Sequence, residues 1–246
     1  MIRSMYQAAS ALMAQLTRQL TIGENLANAS TPGYRARRTT VHDFREMFVS
    51  RVAGETQTPV GPISTAVRPD ELAISLAQGS LVETGRPLDL AIAGTAFFAV
   101  QTPEGVRYTR DGRFHLDAQR RLVTSDGYPV LGLTGPLTLP EGDIHVTADG
   151  TILVNNAPVG QLQLVEFPPD AAFEPTGQNR FAVDAAGQQS QTAGVSQGFV
   201  EQANVDLTQN MVEMLEASRS YALAQRMLQV SDATLGLAVN EVGRVV

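Results

Sequence analysis

An apolar stripe at helical spacing opens this chain, a second one closes it, and sequence of β character lies between them. At the start, Ile2, Met5, Tyr6, Ala9, Leu12, Met13, Leu16 and Leu20 recur at steps of three and four, with Gln7, Gln15, Arg18 and Gln19 among the polar positions. This pattern predicts an amphipathic helix from about Ile2 to Ala29. Thr31-Pro32-Gly33 stops it, because proline disfavours helix in the residue before it and glycine accepts a left-handed turn. At the far end, Leu207, Met211, Met214, Leu215, Tyr221, Ala222, Leu228, Leu235, Val239 and Val242 form the second stripe, with Asn204 or Asp206 as its N-cap. Both stripes approach heptad spacing, which suits helices packed lengthwise on partners. At 1.5 Å per residue each helix is roughly 40–55 Å long.

Between the stripes the periodicity changes. Arg113-Phe114-His115-Leu116-Asp117 and Gln161-Leu162-Gln163-Leu164 alternate polar and apolar, as half-buried strands do. Asp111-Gly112, Asp126-Gly127 and Asp149-Gly150 separate such runs and read as tight hairpin turns. The expected class is α+β, with paired, coiled-coil-like terminal helices and a central antiparallel β domain. Its expected parts are an N-terminal helix over 1–35, an extended connector over 36–79, the β domain over 80–200, and a C-terminal helix over 201–246.

Composition narrows the function. With 43% apolar residues in 246, the chain can bury a real core. It has no cysteine, which excludes disulfides and thiolate ligands, and its 18 basic residues are all arginine. A net charge of −7 argues against a nucleic-acid partner, since phosphate binding rests on clustered positive charge. Arg35, Arg37 and Arg38 are the one dense basic cluster, and a solvated linker accounts for them. Gln7, Ser10, Gln15 and Arg18 interrupt any leader-like apolar run at the start, and no apolar run reaches the length of a membrane span.

Three blocks carry a family resemblance. They are Asn25-Leu26-Ala27-Asn28-Ala29-Ser30-Thr31-Pro32-Gly33-Tyr34; then Phe97-Phe98, Tyr108-Thr109-Arg110-Asp111-Gly112-Arg113-Phe114 and Leu122-Val123-Thr124 with Gly127; and last Gln197-Gly198-Phe199-Val200-Glu201-Gln202-Ala203-Asn204-Val205-Asp206 with Met211-Val212-Glu213-Met214-Leu215 and Arg219-Ser220-Tyr221. In that order they resemble the flagellar rod and hook proteins. The start Met1-Ile2-Arg3-Ser4-Met5 is nearer to distal-rod or Gram-positive-type rod subunits. Gly23-Glu24 and Ser218 depart from the family's usual residues without touching the stripes.

The resemblance implies a structural subunit of the bacterial flagellar basal-body rod that polymerises through its terminal helices into a hollow drive shaft. Export would run through the flagellar type III apparatus without a cleaved signal, to a place outside the cytoplasmic membrane. The partners would be further copies and neighbouring rod and hook proteins. Alternatives are a hook or other axial role, or a soluble β-domain binding protein that does not polymerise. The residues expected at assembly contacts are Met5, Ala9, Leu12, Leu16, Asn25, Leu26, Asn28, Asn204, Asp206, Met211, Met214, Leu215, Tyr221 and Leu228.

No cofactor, metal or catalytic group is expected. Gly194-Val195-Ser196-Gln197-Gly198 matches the Gly-x-Ser-x-Gly elbow, yet extended sequence follows it and His42, His115 and His145 all precede Ser196. Those histidines lack the four-residue spacing that puts two ligands on one helical face, and His115 pairs more naturally with Asp117 two residues on. The Asp-Gly turns lack the further carboxylates of a calcium loop. Leu215→Asp should block assembly, read by sedimentation, while the β domain melts as in the parent; a variant that assembles normally removes that stripe from the interface.

Overall fold

A computed structural model describes residues 2–43, 46–53, 56–64, 67–168, 171–190 and 192–242, with side chains described for 5–40, 73–168, 171–190 and 192–240. The fold is α+β, and it divides into two compact units.

The first unit comprises Met1–Ala27, Arg37–Ala73 and Asp206–Val246. Its helices are α1 (Ile2–Ala27) and α2 (Leu207–Val242). Its strands are β1 (Arg37–Asp43), β2 (Glu46–Ala53), β3 (Thr56–Ser64) and β4 (Val67–Ile74). Within the stretch read as a connector, β1 pairs with β4, and β2 pairs antiparallel with β3 from Glu46↔Ser64 to Ala53↔Thr56, with a register shift between Val49 and Ser50. Residues 44, 45, 54, 55, 65 and 66 of that connector, and the side chain of His42, lie outside the described residues.

The second unit comprises Asn28–Ala36 and Ile74–Val205. Its opening strands are β5 (Leu81–Glu83), β6 (Leu90–Ala93), β7 (Phe97–Thr102) and β8 (Gly105–Thr109). A six-stranded antiparallel sheet runs Phe173–Pro175, Arg180–Val183, β8, β7, Leu164–Glu166, Gln188–Gln189. Strand β7 reads Phe-Phe-Ala-Val without alternation because Phe97 and Phe98 are both buried, one on each face. On one side Phe98 stands edge-on to Phe114 at 5.0 Å, in a core with Leu90, Ile92, Leu122, Leu139, Ile152, Leu162 and Leu164. On the other side Phe97 meets Phe167, Phe173 and Phe181 at ring distances of 5.3–6.3 Å.

Two of the three expected Asp-Gly turns sit in turns. Gly150 donates to Thr147 between strands Ile144–Val146 and Thr151–Val154, and Gly127 donates to Thr124. Asp111-Gly112 does not join a hairpin. It carries the chain from β8 to the strand Phe114–Leu116, which pairs elsewhere, with Leu122–Thr124. Gly112 is required by close approach instead, because a Cβ there would stand 1.6 Å from the carbonyl oxygen of Leu90. Gly33, which ends the N-terminal turn, has a φ of +71°, and its Cβ would stand 2.4 Å from the amide nitrogen of Asp111. The same Asp-Gly pair thus meets the turn that stops α1's continuation.

His115 is exposed on its strand, and Asp117 accepts from Arg121 Nε at 2.7 Å and from the amides of Gln119 and Arg121 rather than pairing with His115. Ser196 lies mid-strand opposite Ala91, and a further strand, Phe199–Glu201, follows it, so the elbow match has no helix behind it. Phe98→Ala should cost about 3–5 kcal/mol of unfolding free energy, measured by urea denaturation, because the ring is fully buried and its neighbours cannot collapse onto the gap.

Candidate assembly interface

The helical unit buries small residues and exposes large ones. Along α2 a covered row runs Asn210, Met214, Ala217, Tyr221, Ala224, Leu228, Ser231, Leu235 and Ala238, at alternating steps of four and three, with Glu213 and Ser220 half-buried beside it; Ala217 and Ala224 are buried outright and the rest of the row half-buried. Small residues occupy one set of heptad positions and long ones the other. Gly23 lies against Met214, 3.9 Å from its Cε to an added Cβ, and Asn25 Nδ2 donates to Asn210 Oδ1 at 3.4 Å, so the two helices pack against each other antiparallel.

Outside this seam the helices remain strongly apolar. Tyr6, Met13, Leu16 and Leu20 of α1 are exposed, as are Leu207, Met211, Val212, Leu215, Leu223, Met227, Val230, Leu237 and Val239 of α2, several at 60% or more. The side of α1 that is buried holds Ala8, Ala14, Thr21, Ile22 and Asn25. The stripe read from sequence is therefore largely the outward side of α1. Periodicity weighted by large apolar residues finds the greasiest face, while close helix contact selects small ones. The side chains of Ile2 and Val242 lie outside the described residues.

The residues expected at assembly contacts divide accordingly. Ala9, Leu16, Met211 and Leu215 are exposed; Met5, Leu12, Leu26, Met214, Tyr221 and Leu228 are half-buried. Asn25 is buried and clamps β1 at two points, with Oδ1 accepting from the Arg37 amide at 2.9 Å and Nδ2 donating to the Arg37 carbonyl at 2.7 Å. Asn28 Oδ1 accepts from Thr31 Oγ1 at 3.3 Å in the turn after α1. Asp206 is the N-cap of α2: its Oδ1 accepts from the amide of Gln209 at 3.0 Å, the third helical residue. Asn204 caps nothing. Its Oδ1 accepts from the Ala36 amide at 2.6 Å, and its Nδ2 donates to the carbonyls of Ser75 and Ala77.

The β unit contains a cluster that the sequence reading missed. Arg35, Arg110 and Glu201 are each at most 2% exposed. Arg110 Nη1 donates to Glu201 Oε2 at 3.2 Å, and Arg35 Nη2 stands 3.0 Å from Oε1, close enough to pair but off the line of a hydrogen bond. Oε1 also accepts from the Gly79 amide at 2.8 Å, and the Glu201 carbonyl accepts from the Gly33 amide at 2.8 Å. Arg110 further donates to the Gly94 carbonyl at 2.7 Å and lies over the Phe97 ring at 4.8 Å, while Arg35 donates to the Ala77 carbonyl. Burial, and after it the like charge of Arg35, push the Arg110 guanidinium down to about 10, with Glu201 pulling the other way. Burial lowers Arg35 as well. Both stay cationic at neutral pH, so two buried cations share one carboxylate.

Arg35 is therefore no solvated linker residue. Of its cluster, Arg38 is exposed and Arg37 is half-buried, 3.0 Å from Glu24. The cluster ties the segment that follows α1 and the segment that precedes α2 into the β unit, and these are the segments that carry the resemblance. Comparison with known proteins settles what that means. The sequence matches the families described as flagella basal body rod protein over residues 5–35, flagellar hook protein FlgE/F/G D1 domain over 91–154, and flagellar basal body rod FlgEFG protein C-terminal over 196–241. It is similar along its whole length to the flagellar basal-body rod protein FlgF of Mesorhizobium japonicum, with 35% identity over 98% of each chain.

The chain belongs to the flagellar basal-body rod proteins. It is also similar to the flagellar basal-body rod protein FlgG of Buchnera aphidicola (34% identity, 96% of this chain and 98% of the relative) and to the flagellar hook-basal body complex protein FlhO of Bacillus subtilis (31%, 100% of both). Rod proteins are structural rather than enzymatic, and within this one Glu201 is the carboxylate that both buried arginines share. Glu201→Gln should cost about 3–5 kcal/mol by urea denaturation, because it leaves two buried guanidiniums without a carboxylate. Replacing all three together (Arg35→Met, Arg110→Met, Glu201→Leu) should cost less than that single change.

Proposed function

We propose that this rod-family chain polymerises through its terminal helices, which pair as a coiled coil within each subunit and pack outward on neighbouring subunits around the rod's hollow axis. One observation carries the reading: α2 exposes large apolar side chains well beyond the side that meets α1, interspersed with charged residues such as Glu216, Arg219 and Arg226. It covers one seam against α1 and leaves Met211, Leu215, Leu223, Met227, Val230 and Leu237 bare on other sides. Each such side chain is worth about 1.5–3 kcal/mol when fully covered. Uncovered on a lone subunit they form a patch of the kind that marks protein association. Methionines at 211 and 227 suit a contact that repeats in slightly different surroundings as a helical assembly is built.

The partners are further copies of this chain and adjoining rod and hook proteins, and the place is the flagellar basal body. Export through the flagellar type III apparatus, without a cleaved signal, to a position outside the cytoplasmic membrane belongs to the same reading and rests on family membership. No helix among the described residues is long and apolar enough to cross a membrane. A hook role finds some support in the match described as a hook-protein D1 domain, but the relatives matched along the entire chain include rod proteins of closely similar length.

The test uses charge on the outward faces. Met13→Asp with Leu20→Asp on α1, and separately Leu223→Asp with Met227→Asp on α2, should each abolish sedimentable polymer. The stability of the β unit should stay within about 0.5 kcal/mol of the parent, as expected for exposed positions. Polymer formed at the parental concentration by both double variants would refute the reading.

A further inference from the structure

Segment 194–205 enters the β unit from the far end of its chain and completes several separate parts of it. Strand Gly194–Gln197 is the ladder partner of β6, from Gly194↔Ala93 to Gln197↔Leu90, and strand Phe199–Glu201 is the ladder partner of β5. Among the described residues each of these sheets has two strands, so β5 and β6 have no other ladder partner. Val195 and Val200 are buried, the first in the main core with Leu90, Ile92 and Val146. The Gln197 side chain joins the turn at Pro87 to the strand Ile144–Val146, donating to the carbonyls of Pro87 at 2.8 Å and Ile144 at 2.9 Å and accepting from the Val146 amide at 3.1 Å. Glu201 supplies the carboxylate that Arg35 and Arg110 share, and Asn204 bonds Ala36, Ser75 and Ala77.

We propose that this unit stays unfolded until 194–205 docks, so that the segment is its closing element and its groove is a binding site for an extended peptide carrying an acidic residue at the position of Glu201. The physical reason is that the incomplete unit cannot settle for a partial structure. Without the segment, folding would place Arg35 and Arg110 in a dry interior with no anion, a far greater cost than leaving them in water. It would also leave the ladder edges of β5 and of the buried strand β6 without main-chain partners. The contacts that remove these costs join residues far apart in the chain, 91 positions for Arg110 and Glu201 and further still for Arg35 and Glu201, and such pairings form late because loop closure precedes any gain. The β strands of the middle are therefore held in check by the C-terminal segment.

The test compares the full chain with the chain ending at Ala193, with and without the synthetic peptide of residues 194–205. The readout is hydrogen-exchange protection of amides in β7 and β8, which have no ladder bonds to the segment. In the shortened chain that protection should fall at least about 100-fold, and the peptide should restore it saturably. A peptide carrying Glu201→Gln should need at least about tenfold more to do so. Parental protection in the shortened chain, or no restoration by the peptide, overturns the proposal. Should the shortened chain aggregate, pulse-labelled exchange during refolding of the full chain decides: β7 and β8 should gain protection in the same phase as Val195 and Val200, and an earlier phase overturns it.

Discussion

The carboxylate of Glu201, between the guanidiniums of Arg35 and Arg110, is the contact on which the rest of the β unit depends. A buried ion cluster of this kind contributes little net stability, because stripping water from three charged groups offsets most of their attraction. What it supplies is uniqueness. One carboxylate can meet both cations and the Gly79 amide in a single arrangement only, and that arrangement fixes the turn after Asn28, the bend at Arg110 and the strand ending at Glu201 together. Every alternative pairing leaves a charge in the dark. Gly33 and Gly112 belong to the same design, since each lacks the Cβ that would keep these backbones apart.

The helical unit follows the opposite rule. The β unit hides Phe97 and Phe98 on the two sides of β7 and gathers Arg35, Arg110 and Glu201 into a buried cluster. The helices are covered along a narrow seam of Ala217, Ala224 and their half-buried neighbours, and where Asn25 meets β1, and carry Leu215, Leu223, Met227 and Val230 into solvent. In a rod-family protein such a division separates two tasks. One part has a single folded state of its own, and the other carries apolar area whose cover must come from elsewhere. On the proposed reading, assembly and helix burial are the same event.

Much of this was legible in the residues. The three- and four-residue spacing fixed the helices, because an α-helix repeats every 3.6 residues whatever it packs on, and Thr31-Pro32-Gly33 fixed the end of the first. The alternation around Phe114 marked a strand for the equivalent reason, a period of two, whereas Gln161-Leu162-Gln163-Leu164, read as one strand, straddles the break between strands Ala157–Gln161 and Leu164–Glu166. The outward leucines and methionines were legible too, since large apolar side chains are what periodicity detects.

Tertiary structure alone decided which face of α1 turns inward, because small residues such as Ala8 and Ala14 allow close approach and carry almost no weight in an apolar pattern. It alone turned Asp111-Gly112 from a hairpin turn into a close-packed bend, and Arg35 from a solvated linker residue into a buried cation. Arg35 and Glu201 are separated by most of the chain, and nothing local to either says that they meet. Periodicity speaks for each element by itself; which charge neutralises which is a property of the folded whole.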